Sequence, residues 1–121
     1  MIEKRRWPRV SCEWESNYNS IQRQTGLRSS STVDLSEGGV RFRTNGFVAV
    51  GDRMRFSLRP PKGAVLDTVI STVWVREIPT LSLFEVGGHF VDVSQAGRQS
   101  LRAWTDTKQA VLVTRLPEDG F

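Results

Sequence analysis

Thr32-Val33-Asp34-Leu35-Ser36-Glu37-Gly38-Gly39-Val40-Arg41-Phe42-Arg43 is the stretch around which the rest of the chain is organised. Thr32-Val33 and Val40 to Arg43 are β-type, which predicts strand, turn, strand, with Asp34 to Gly39 projecting polar groups from the end of a rigid sheet. Gly38 and Gly39 permit positive φ and let a ligand approach the main chain without an intervening Cβ. Asp34 supplies a carboxylate that can accept from a paired N–H edge, and Ser36 a hydroxyl that gives or takes one hydrogen bond. The same spacing also occurs in hairpins where Asp and Ser bond only the local backbone amides.

Outward from that turn the pattern stays β. Cys12, Trp14 and Tyr18 share one face of a first strand, with Glu13, Glu15 and Asn17 on the other, and Leu27 to Val33 gives a second. Val40 to Thr44 is the third, and Asn45-Gly46 is a hairpin-type dipeptide. In Arg53 to Arg59, Met54, Phe56 and Leu58 alternate with arginines, the clearest half-buried strand. Val65 to Glu77 is apolar on both faces, which predicts burial on both sides, and Leu83 to Val91 is the last long strand. Ser94 can cap a helix over residues 95–109 that lays Leu101 and Trp104, near Lys108, on the sheet. Phe42, Phe56, Trp74 and Phe90 fall where a core is expected.

Before the first strand lies a basic arm, Glu3-Lys4-Arg5-Arg6-Trp7-Pro8-Arg9-Val10. A solvated tail is the plainest account of such a run. Trp7 nevertheless offers a stacking face and Pro8 stiffens the chain just before Arg9. Arginine pairs bidentately with guanine O6/N7 or with phosphate, and its plane stacks on bases.

Arg5 and Arg9 form Arg-x-x-x-Arg, and Asp34, Ser36 and Gly39 form Asp-x-Ser-x-x-Gly. In this order, in a chain of this size, the two motifs resemble the PilZ domain family of bacterial cyclic di-GMP receptors. Val50-Gly51-Asp52-Arg53, Val73-Trp74-Val75 and Val86-Gly87-Gly88-His89-Phe90-Val91 extend the resemblance over nearly the whole chain. It implies a mainly β fold, a small six-stranded antiparallel barrel with a C-terminal α-helix. It divides one domain into a ligand-binding arm (1–10), the barrel (11–93), the helix (94–110) and a tail (111–121). The ligand it implies is cyclic di-GMP, with no other cofactor. Arg5 and Arg9 contact guanine and phosphate, Asp34 and Ser36 address guanine and ribose-phosphate groups, and Gly39 keeps the turn open. Arg6 is not fixed by the motif and is expected as an additional phosphate contact, and Gly38 lies within the same turn. Ordering of the arm over the ligand then signals to an effector protein or alters a homodimer.

Composition restricts the alternatives. The chain has 121 residues, 38% apolar and 25% charged, the range of one folded domain. Its net charge of +4 favours an anionic partner. Cys12 and His89 are the sole residues of their types, so a Cys–His catalytic pair would need these two, which fall on different strands, and no cysteine metal cluster exists. An enzyme is therefore not expected, and His89 reads as an ordinary strand residue. No apolar run reaches the length of a membrane span and the N-terminus lacks a signal-peptide core, so a cytoplasmic protein without membrane insertion is expected. Two rival binding modules remain: a PilZ-like protein-interaction domain that does not bind the nucleotide, and a barrel for single-stranded nucleic acid. The second needs aromatics exposed on strands, which disfavours nucleic acid as partner.

Overall fold

The computed structural model describes residues 9–106. In chain order they form β1 (Val10–Ser20), β2 (Arg28–Leu35), β3 (Gly39–Thr44), β4 (Arg53–Arg59), β5 (Leu66–Ile78), β6 (Leu83–Asp92) and α1 (Gln95–Trp104). The strands close into an antiparallel barrel in the order β1-β2-β3-β6-β5-β4. Closure pairs every strand on both sides, so no edge is left as a template for other chains.

Alternation fills the barrel. Met54, Phe56 and Leu58 point inward from β4, while Arg53, Arg55 and Arg59 face water, as their spacing predicts. Phe42 stands between Tyr18 and Phe56, with ring centroids 5.4 and 5.1 Å away. Cys12, Leu35, Val40, Val48, Leu66, Ile70, Val86 and Leu101 complete the buried cluster. Each Val, Leu, Ile, Phe or Met side chain among them contributes about 1.5–3 kcal/mol on leaving water. Buried hydroxyls pair with one another: the Tyr18 hydroxyl bonds Thr44 Oγ1 at 2.7 Å, and Thr32 Oγ1 donates to Ser16 Oγ at 2.9 Å.

Ser94 caps α1, its Oγ accepting from the Gly97 N–H at 3.0 Å. Leu101 enters the core, and Trp104 meets Trp14 edge to face at 5.3 Å. The described helix ends at Trp104, with Thr105 as its C-cap. Lys108 and the tail 111–121 lie outside the described residues, as do Arg5, Arg6 and Trp7 of the arm.

The long strand departs from its sequence reading. Thr72 pairs with Gly88 and Trp74 with Gly87, so Val73 is an extra, bulged residue. The bulge exchanges the faces of β5. Leu66, Thr68, Ile70 and Thr72 point inward before it, and Val75 packs on the core after it. Trp74, expected in the core, is turned to the outside of the sheet, where it is half-buried. Val65 and Val73 are 44% and 41% exposed, so burial on both faces of this strand does not hold.

Candidate functional site

The β2–β3 hairpin is tighter than the sequence reading. β2 runs through Leu35 and β3 starts at Gly39, which leaves Ser36, Glu37 and Gly38 as the turn. Asp34 is thus a strand residue rather than a loop residue. The Ser36 N–H donates to the Gly39 carbonyl at 2.9 Å, while Ser36 Oγ accepts from the Gly38 and Gly39 N–H groups at 3.1 and 3.2 Å. The hydroxyl therefore holds the turn as an acceptor and retains its own proton for donation. Gly39 serves a close approach. A Cβ there would collide with the Gly88 carbonyl oxygen of β6 and stand 3.6 Å from His89 Cα. Neither Gly38 nor Gly39 uses positive φ; among the described residues the glycines that do are Gly51 (φ 90°) and Gly63 (φ 102°).

Register then assembles a polar row across four strands. Asp34 pairs with Arg41, Arg41 with Gly87, and Gly87 with Trp74. Asp34 is fully buried, its Oδ2 receiving Arg41 Nη2 at 2.5 Å. The Trp74 indole covers Gly87, since a Cβ at 87 would fall on its ring, and the Arg76 guanidinium lies 5.9 Å from that ring's centroid. The neighbouring row is Arg43, Glu85 and Arg76. Buried Glu85 accepts from Arg43 Nε at 3.1 Å and from Arg76, and Arg41 Nη1 is 3.9 Å away. One carboxylate thus gathers three arginines, which offsets the cost of burying it. On the other side lie Gly39, exposed His89 and Ser71.

Arg9 reaches this face from the arm. Val10 pairs with Leu35 and Ser11 with Asp34, so Arg9, immediately before Val10 and itself buried, sits at the end of β2 that carries the turn. Glu37, in the turn, accepts from Arg102 Nε of α1 at 3.2 Å. Cys12 lies next to the same region. Burial foremost, and then the Asp34 charge, push its thiol up to about 12, so it is an inert core group.

The PilZ domain family model matches residues 3–107. This chain belongs to the PilZ family. No curated protein gives a significant sequence match. Among solved structures, the PilZ domain of YcgR from Escherichia coli with c-di-GMP (cyclic di-GMP) is similar with a TM-score of 0.70 and 14% identity, over 90% of this chain and 95% of that one. The Bacillus subtilis inhibitor of motility MotI (DgrA) gives 0.76 and 13% over 89% and 52%. The K. pneumonia MrkH–c-di-GMP complex gives 0.68 and 12% over 84% and 50%. The chain thus spans about half the length of MotI and MrkH. At these identities the likeness establishes the barrel and its helix.

Within this PilZ domain the structure brings Arg9, Asp34, Ser36, Gly38 and Gly39 to one end of β1, β2 and β3. Arg5 and Arg6 fall outside the described residues. Sequence reasoning missed Arg41, Trp74 and Glu85. Arg41 carried a usable signal, because Leu35 pairs with Val40 across the four residues Ser36–Gly39, and that register sets Arg41 across from Asp34. Trp74 carried none, since its outward face depends on the bulge at Val73.

Proposed function

We propose that this PilZ domain is a receptor for c-di-GMP, bound on the outer face between the basic arm and the Asp34–Gly39 hairpin. The carrying observation is the row Asp34–Arg41–Gly87–Trp74, which sets a carboxylate, a guanidinium and an indole along one face of four strands, with Arg9 near its Asp34 end. These are the groups that a guanine edge, a phosphate and a base face require. The YcgR and MrkH structures are of proteins in complex with the same ligand. Asp34 and Ser36 address guanine and ribose-phosphate groups, and Arg5 and Arg9, with Arg6 as a further phosphate contact, close over the ligand. Entry exchanges part of the Arg41–Asp34 pair for ligand contacts, so Arg41 turns toward a phosphate as guanine takes its place.

Ordering the arm costs about 1–2 kcal/mol of backbone entropy per residue. Charge-assisted hydrogen bonds at about 1.5–3 kcal/mol each work against that loss. The ordered arm presents a new surface to an effector protein or a second protomer. A non-binding interaction module is the second reading, favoured by one observation: Asp34 and Ser36 already have protein partners. Titration calorimetry separates the two. The intact chain is expected to bind c-di-GMP with no comparable heat from GTP, and Arg5→Ala/Arg9→Ala to weaken binding by a factor on the order of 100 or more. No heat from the folded, intact chain refutes the receptor reading.

A further inference from the structure

At the barrel end opposite the Ser36–Gly38 turn, an apolar surface is left over that the c-di-GMP reading does not use. The β1–β2 and β3–β4 connections both emerge there, since β1 ends at Ser20 opposite Met54 near the start of β4. The two connections form one surface. The Ile21 N–H donates to the Arg53 carbonyl at 2.9 Å, and Arg23 pairs with Asp52 at 2.5 Å while lying 5.8 Å from the Phe47 ring centroid. On this surface Leu27, Phe47 and Val50 are 70%, 67% and 64% exposed, the three most exposed large apolar side chains among the described residues. Interleaved with them are Arg23, Arg28 and Arg53, all exposed. Arg28 lies against Gly46, the residue before Phe47, because a Cβ at 46 would meet its side chain.

We infer that this end of the barrel docks peripherally on an anionic lipid surface, Leu27, Phe47 and Val50 entering the headgroup layer while the arginines meet lipid phosphates. Charge decides among the occupants. Three arginines are answered by one acid, Asp52, so the surface is net basic and a second copy would bring like charges together. A protein partner is less well matched, because the centre of a protein interface is depleted of charge, whereas here arginines stand between the apolar groups. A bilayer supplies both chemistries at the right depths, acyl chains for the apolar tips and phosphates for guanidinium groups that reach back to the interface. Among the described residues no helix is long and apolar enough to cross a membrane, so the contact is shallow. The motif stays on the far end of the barrel, free for its own ligand.

The test is sedimentation of the intact chain with vesicles of phosphatidylglycerol and phosphatidylcholine, and with phosphatidylcholine alone. Binding is expected to the anionic vesicles, about tenfold or more weaker to the neutral ones, and to decline as salt rises. Leu27→Ser/Phe47→Ser is expected to lower it about tenfold or more with an unchanged thermal melt, because both side chains are already in water. The basic arm is the competing explanation. Arg5→Ala/Arg6→Ala removes two of the arm's four cations and is expected to leave most of the binding. Three results overturn the inference: no sedimentation with anionic vesicles, loss that follows the arm variant instead of the loop variant, or self-association abolished by the loop variant in the absence of vesicle binding.

Discussion

Gly39→Ala tests what the motif glycine is for. In the structure Gly39 faces the backbone of β6: a methyl at 39 would collide with the Gly88 carbonyl oxygen and stand 3.5 Å from its carbon. The obstacle is main chain, so no rotamer change relieves it. β3 and β6 would have to part by roughly 1 Å against an interstrand spacing of ~4.8 Å. The strain falls where Gly39 pairs with His89, Val40 pairs with Gly88, and the Phe90 N–H donates to the Gly38 carbonyl at 3.1 Å. Overpacking plus one weakened hydrogen bond amounts to about 2–4 kcal/mol, less about 0.4–1 kcal/mol from restricting the unfolded chain. At about 3–5 °C per kcal/mol for a domain of this size, the net loss of about 1–3.6 kcal/mol should lower the melting midpoint by roughly 3–18 °C. Gly26→Ala is the control, since its Cβ would meet nothing within 4 Å, and it should leave the midpoint unchanged or slightly raised. Both are read by thermal circular dichroism and urea unfolding, with c-di-GMP titration of the folded fraction. If Gly39→Ala melts like the parent chain yet loses ligand binding, the glycine serves ligand approach and the packing argument is wrong.

Cys12 and Asp34 give two more tests. The Cys12 thiol titrates near 9 when unfolded and is pushed up to about 12 in the fold, so its contribution to stability is intact below pH 9 and lost as pH rises toward 12. Between those limits unfolding should become easier by ~1.4 kcal/mol per pH unit, and Cys12→Ala should remove that slope; parallel slopes in urea titrations of the two proteins would contradict it. Asp34→Asn leaves the 12%-exposed Arg41 side chain without its closest anion, with Glu85 at 3.9 Å as partial compensation. A loss of about 2–4 kcal/mol is expected, partly recovered in Asp34→Asn/Arg41→Gln, and a double-mutant cycle with no coupling would refute the pair's importance.

What the sequence disclosed was local. The alternation of Met54, Phe56 and Leu58 with arginines names a half-buried strand wherever it sits, and Ser94 caps a helix by chemistry confined to four residues. The two motifs were legible for the same reason. What stayed hidden depends on register between strands distant in sequence. Val73 reads as one more apolar residue until β6 is laid beside β5, and only then does the bulge turn Trp74 from the core to the outer face. Gly39 reads as a flexible turn residue until Gly88 arrives from the far side of the barrel. Glu85 reads as an ordinary strand acid, yet pairing places Arg43 and Arg76 on either side of it.

That last arrangement bears on how an arginine-rich face can fold and still receive an anion. Arg41, Arg43 and Arg76 held together without a counter-ion would repel one another, and Arg41 is nearly buried. Asp34 and Glu85 lower the formal charge of the five groups to +1, by 3 − 2, and each carboxylate fixes its arginines from the protein side. Arg43 and Arg76, 40% and 62% exposed in their side chains, keep N–H groups toward solvent. On the c-di-GMP reading, an incoming phosphate meets guanidinium groups already oriented by Glu85, so little side-chain entropy is lost on binding. Arg41 is the group that must choose, because it touches both carboxylates. When guanine claims Asp34, Glu85 and the phosphate remain as partners for Arg41, and no charge is left buried alone.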